Sequence, residues 1–309
     1  MNLGGTGTVI TVHLNLQINE DRTIFNRPDV FRRHFRRKFK MNYYDKSSNN
    51  EPAVFFGCGG YGIKQMVLNH KGFAVVVWGG SDSMFIDREP RMGEYFRKNK
   101  DRIVHIAHSH WIQTDLAEKG IEYIDRVVLP VEFDRAQFTV EPLGKYIYHY
   151  GPTTRTRYEF YGTTTVHQMM KMVGQTHVLS NKFIVTNANA VPRQKMHEEY
   201  KKAFMGVRLT DHDNMSLSCI EMGLMGRRSI FNGNIPGAIP YQKKEPGHVL
   251  DLILEEYQYS EPDRDLSNEM WDFVQDDMTW VNTEYYENCS YHSGPGENPA
   301  GVKDGSQGS

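Results

Sequence analysis

Cysteine is scarce in this chain. Three residues, Cys58, Cys219 and Cys289, are spread over 309 positions. No C-x-x-C pair and no even-numbered set exists, which excludes a disulfide framework, suits a reducing compartment and argues against a thiolate zinc site. Long apolar runs are missing as well. The most apolar stretch, FAVVVW at 73–78, is far shorter than the roughly 20 residues a membrane span needs. The first residues lack a charged-then-apolar leader pattern, so a cytoplasmic protein is expected. An excess of one charge is also lacking: 36 basic and 38 acidic residues leave a net −2. Only a local patch could then draw nucleic acid or anionic lipid.

The length suggests about two domains. TVITVHLNLQI alternates at Val12, Leu14, Leu16 and Ile18, as a half-buried strand does. VFRRHFRRKFKM at 30–41 repeats Phe31, Phe35 and Phe39 every four residues among basic side chains. That is an amphipathic basic helix. It packs its rings inward under a solvated face, or residues 30–40 touch an anionic membrane surface, or the helix meets nucleic-acid phosphates. Strands AVFF, FAVVVW and RIVHIA then alternate with short helices, and RVVLPV at 126–131 reads as one more strand.

A second cycle starts near residue 144. It has helices near 163–173, at MHEEYKKAF and at 216–225, strands FIVTNA, MGVRLT and RRSIFN, and a helical region over 247–286. Strands alternating with helices imply parallel sheets covered on both faces. The expected fold class is α/β: two Rossmann-like domains, 1–142 and 143–289, facing a central cleft. The Gly- and Ser-rich tail 290–309 is expected to be disordered.

Five clusters could carry chemistry. In GCGGYG, the residues Gly57, Gly59 and Gly62 fit G-x-G-x-x-G after a strand, with Asp82 twenty residues on. Such a loop lets a dinucleotide pyrophosphate approach a helix N-terminus, or it serves turn geometry alone. In GGSD, Gly80, Ser81 and Asp82 follow a buried strand, where parallel sheets place ligands. His105, His108 and His110 lie together in HIAHSHW; a metal would need a third ligand and supporting partners, and none is identifiable. Thr154, Arg155 and Arg157 precede the helix near 163, and guanidiniums beside a helix N-terminus suit phosphate. Finally Asp213 and Glu221 stand eight positions apart, with Met215, Ser216 and Leu217 opening the helix that carries Glu221. Carboxylates accept hydrogen bonds from sugar hydroxyls, and helix-opening amides favour anions.

Taken together, YKKAFMGVRLTDHDNMSLSCIEMGLMGRRSIF resembles the nucleotide-sugar site of retaining glycosyltransferases of the family 4 type, which have the GT-B fold. Tyr200, Ala203, Asp213, Glu221, Gly223 and Gly226 fall in the family's order. HYGPTTRTRYEFYGT is similar to its donor-phosphate loop, WGGSD to its H-G-S-D turn, and RVVLPVEFDRAQF to the segment that closes its first domain.

The resemblance implies a nucleoside-diphosphate-sugar donor on the second domain, with Glu221 on the ribose and Asp213 at the transferred sugar. Arg155 and Arg157 would meet the leaving diphosphate, with Thr154, Met215, Ser216 and Leu217 around it. The acceptor would lie near Gly80, Ser81, Asp82, His108 and His110, with Asp82 at the reaction centre. No metal or other cofactor is implied. The acceptor could be a glycan, a lipid-linked acceptor or nucleic acid. Departures from the family pattern are Asp213 in place of a glutamate, Tyr161 in place of the phosphate lysine, and Gly79 in place of a histidine.

Three other readings fit parts of the sequence. One is a metal-dependent GT-A enzyme using D-x-D at Asp211–Asp213 or Asp263–Asp265. Another is an NAD-dependent oxidoreductase using the glycine loop. The third is a non-catalytic nucleotide-sugar-binding module.

Overall fold

The structure, a computed structural model, describes residues 17–18, 42–44, 47, 49–58, 61–84, 86, 90–129, 131–152, 154–175, 177–187, 191–275, 279–281, 283–287 and 289–296. The basic segment 30–40, with the membrane or nucleic-acid contact expected of it, lies outside them. So do Gly59 and most of the first expected strand. No described helix is long and apolar enough to cross a membrane.

The chain builds two five-stranded parallel sheets. The first has the order β2-β1-β3-β4-β5, from β1 (Gln17–Ile18), β2 (Asn42–Tyr43), β3 (Ala53–Phe56), β4 (Ala74–Val77) and β5 (Ile103–Ile106). Helices α1 (Tyr61–Asn69), α2 (Pro90–Lys98) and α3 (His110–Glu118) connect or follow these strands. The sequences AVFF, AVVV and IVHI are apolar almost throughout because both faces of this sheet are covered. Alternate residues serve opposite cores. Phe55, Val76 and Trp78 meet Val67, Ile112 and Leu116 on one face. Val54, Val75, Val77 and Ile106 meet Trp280 and Tyr286 on the other.

The second sheet has the order β10-β9-β8-β6-β7. Its strands are β6 (Tyr146–Gly151), β7 (Phe183–Asn187), β8 (Ala203–Val207), β9 (Ser229–Ile230) and β10 (Ala238–Ile239). Helices α4 (Thr163–Met172), α5 (Met196–Lys201), α6 (Leu217–Leu224), α7 (Pro246–Glu256) and α8 (Arg264–Phe273) surround it. Ile147, Met205 and Ile230 pack on Val166, Met169 and Ile253, while Tyr148 and Phe231 face Ile220, Met222 and Met270. Two Rossmann-like halves therefore stand as expected, with the carboxyl ends of their strands turned toward one another.

Three expectations are corrected. The described residues of RVVLPV form no strand. Val128 packs in the first unit's core and Leu129 in the second's, so this stretch is the crossing between them and has no ladder partner. The crossing thus precedes the boundary expected at 142. Nor does the second unit keep the chain to residue 289: the 3-10 turn at Trp280 and helix α9 (Thr283–Glu287) return to the first sheet. Residues 290–296 of the tail expected to be disordered pack on the first unit. Tyr123 and His292 exchange backbone hydrogen bonds of 3.0 and 2.8 Å, and the Tyr123 hydroxyl donates to the Gly294 carbonyl at 2.7 Å.

Trp280 is fully buried on the first sheet, and removing so large a side chain leaves a cavity. Trp280→Ala should lower unfolding stability by about 3–5 kcal/mol, read as a lower denaturant midpoint. A loss under about 1 kcal/mol would show that this segment is not part of the first core.

Candidate functional site

Parallel sheets put ligands at the carboxyl ends of their strands, and here both sets of ends meet in one seam. On the second unit, β8 runs straight into Arg208, which is 8 % exposed. Its guanidinium lies over Tyr150 at 5.1 Å and over Tyr161 at 4.4 Å. Nε and Nη2 both donate to Asp213 Oδ2, at 3.0 and 2.6 Å. Asp213 Oδ1 accepts from the Asn214 amide at 3.0 Å. A guanidinium this deep needs a counterion, and the β8–α6 loop supplies one five residues on.

Arg157 joins the same group. Its Nη2 donates to the Tyr161 hydroxyl at 3.1 Å, and the guanidinium lies 5.0 Å from that ring. Tyr161, standing where the resembled family has a lysine, thus gathers two arginines. Arg155 and Thr154 occupy the same exposed 3-10 turn, ahead of α4. Gly162 caps that helix with φ +69°, and a Cβ there would fall 2.3 Å from Leu209 Cβ, so only glycine lets the loop lie against β8. Beneath them His149 is fully buried. It bonds the Val207 carbonyl and Thr163 Oγ1, each at 2.9 Å. Burial lowers its pKa to about 4, keeping the ring neutral, so it fixes β6, β8 and the first turn of α4 as one platform.

The remaining expected donor residues divide. Met215 and Leu217 are half-buried and Ser216 is buried at the start of α6, its hydroxyl 3.1 Å from that of Ser218. Glu221 faces no opening. It is 2 % exposed, and the Tyr200 hydroxyl donates to its Oε2 at 2.7 Å. The place expected for it on the cleft wall is corrected to one inside the second core, where a carboxylate is tolerated because a partner meets it.

On the first unit, Asp82 clamps two turns. Its carboxylate accepts from the Cys58 amide at 3.2 Å and from the Gly79 amide at 3.2 and 3.3 Å. Gly57 adopts φ +76°, and a Cβ there would stand 2.7 Å from Asp82 Oδ2. A carboxylate therefore already sits on the glycine turn that a dinucleotide pyrophosphate would need, and it would repel one. Gly80, with φ +134°, lies against Asn214, whose Nδ2 donates to the Trp78 carbonyl at 3.0 Å. Ser81 is exposed.

His108 and His110 reach the seam at another place. His108 Nε2 lies 2.9 Å from the Asn234 carbonyl and its Nδ1 2.7 Å from Asp125, while His110 Nδ1 lies 3.2 Å from Asn234 Oδ1. His105 is buried, accepts from Trp78 Nε1 at 3.2 Å and is pushed by burial down to about 3. No group of three metal-ligating side chains exists among the described residues. The D-x-D acids are engaged elsewhere. Asp211 pairs with Lys244, Asp213 with Arg208, and Asp263 with Arg228 while also capping α8.

Sequence reasoning missed Arg208, Asn214, His212, Asp115 and Ser83. The one available signal was a basic residue directly after an apolar strand.

No protein-family model and no curated protein matches the chain. Among solved structures it is similar to TarM, at 14 % identity over 78 % of this chain and 54 % of that one, with a TM-score of 0.44. It is also similar to a TarM variant from S. aureus in complex with fondaparinux, α-GlcNAc-glycerol and UDP, at 13 % identity over 74 % and 49 %, with a TM-score of 0.41. The chain spans about half the length of these structures.

Burial raises the Asp82 carboxyl to about 6. A carboxyl raised above its unfolded value contributes stability that is full near pH 4 and is lost as pH climbs through 6. The stability of the wild type relative to Asp82→Asn should therefore fall between about pH 4 and pH 6 and stay level above. Thermal melts across that range check it; a difference that rises with pH would contradict the environment described.

Proposed function

We propose that this chain is a glycosyltransferase that takes its sugar from a nucleoside-diphosphate donor. The observation that carries the reading is the cluster of Arg157, Tyr161, Arg208 and Asp213 at the strand ends of the second unit. Two arginines beside the opening of a ten-residue helix make an anion site of the right reach for a diphosphate. Among the described residues Arg208 spends only Nε and Nη2 on a partner, which leaves Nη1 for the ligand. Arg155 on the exposed turn adds charge.

In this reading the diphosphate is the leaving group, and fixed cations offset the charge that grows on it as the bond to the sugar breaks. Asp213, whose carbonyl accepts from Ser109 of the first unit, faces the sugar. The transfer would need no metal, because the arginines do the electrostatic work. The acceptor would be a hydroxyl of a glycan or lipid-linked glycan admitted between the units, and closure of the seam would limit loss of donor to water. The motif resemblance implies retention of the anomeric configuration by a hexosyl- or pentosyltransferase.

A thermal-shift panel of UDP, GDP, ADP, their sugars and NAD, without added metal, tests the reading. At least one nucleoside diphosphate should raise the melting point, and a shift with NAD alone would refute it. Because Arg157 is exposed, Arg157→Gln should leave the melting point unchanged. It should weaken nucleoside-diphosphate binding by about tenfold, the loss of one charge-assisted hydrogen bond, measured by calorimetry.

A further inference from the structure

The carboxylate that the motif resemblance puts on the donor's ribose is turned the other way. Glu221 is 2 % exposed, and the Tyr200 hydroxyl donates to its Oε2 at 2.7 Å. Tyr200 is equally buried on α5, its ring edge-on to Tyr148 with centroids 4.9 Å apart. Moving the carboxylate out to a ligand would take that acceptor away from a buried hydroxyl.

The helix that carries Glu221 has no room to turn and re-aim it. Ile220, Met222 and Leu224 on α6 are each at most 1 % exposed. A Cβ on Gly223 would stand 2.5 Å from Met270 Cε on α8. One on Gly206 in β8 would stand 2.8 Å from Met222 Sδ. α6 is thus pressed against a strand and a second helix at distances that only hydrogen allows at these two positions, and packing this close does not yield to rotation. Asp213, the other acid of the pair, is held by Arg208 and by the Asn214 amide. In the reading above it belongs to the transferred sugar.

We infer that this chain does not select its donor by the hydroxyls of the pentose, so that 2′-deoxyribonucleoside diphosphate sugars, dTDP-sugars among them, are admitted alongside the ribose series. The inference rests on the glycosyltransferase reading and specifies its substrate class. A carboxylate that gripped both ribose hydroxyls would lose a charged hydrogen bond with every 2′-deoxy ligand, about tenfold or more in affinity. Sites built to bond a substrate hydroxyl reject the analogue that lacks it because their own polar groups are then left unpaired. With Glu221 already paired inside the core, that penalty is absent. The cations assigned to the diphosphate, Arg157 and Arg208, meet the same phosphate oxygens in both series.

The test is calorimetry on the full chain. UDP, GDP and ADP are each compared with their own 2′-deoxy forms, so that the base stays fixed and only one hydroxyl changes. For each pair that binds, the two affinities should agree within about threefold. Glu221→Gln keeps an acceptor for Tyr200 and should melt within about 2 °C of wild type. It should bind the nucleoside diphosphate within about twofold of wild type.

A preference for the ribose form beyond about threefold would overturn the inference and leave the glycosyltransferase reading standing. So would a loss of about tenfold or more in Glu221→Gln with its melting point retained. If that variant does not fold, the ribose-to-deoxyribose ratio of the wild type decides alone. A panel in which neither form of any nucleoside diphosphate binds would instead remove the glycosyltransferase reading, and this inference with it.

Discussion

A guanidinium buried between two tyrosine rings is stable only beside a fixed anion, and much of the second unit is arranged around meeting that requirement for Arg208. The loop after β8 turns back so that Asp213 reaches it. Tyr150 at the end of β6 and Tyr161 ahead of α4 supply the faces above the charge. Gly162 permits the close approach that puts Tyr161 there, and neutral His149 holds the strands and helix beneath. The same loop then carries His212 and Asn214 into contact with the first unit. One charge pair thus sets both the arginine–tyrosine cluster and the surface across which the two sheets meet.

That surface mixes hydrogen bonds with ring contacts, such as Trp111 on Phe231 and His108 on Phe273. Ser109 donates to the Asp213 carbonyl at 2.7 Å, Asn214 to the Trp78 carbonyl, and His108 meets the Asn234 carbonyl. The connection between the units is tied down. Buried Arg227 donates to the carbonyls of Ala203, Met225, Glu141 and Pro142, and so fixes the end of the connecting stretch to the second unit.

The sheets were legible because buried parallel strands are written as short runs such as AVVV and AFMGV, separated by helices of ordinary length. RVVLPV misled because it is equally apolar for a different reason: consecutive valines and a leucine feed two cores in turn. Arg155, Arg157 and Asp213 could be picked out by residue type and by their place after strands. Arg208 could not, since a cation after a strand is common and its burial depends on Tyr150, fifty-eight positions earlier in the chain. Glu221 was misplaced for the converse reason. Its partner, the Tyr200 hydroxyl, lies on another helix, and spacing alone says nothing about it. The Asp115–His212 pair is invisible in sequence because its members are ninety-seven residues apart and meet only once both units exist.

The return of Trp280 and Tyr286 to the first sheet has a consequence for biosynthesis. A nascent chain emerges from the ribosome in order, and domains usually fold as they emerge. Here the segment that lays Trp280 and Tyr286 on Val54, Val75 and Ile106 is translated only after nearly the whole second unit. The half made first is therefore the half finished last.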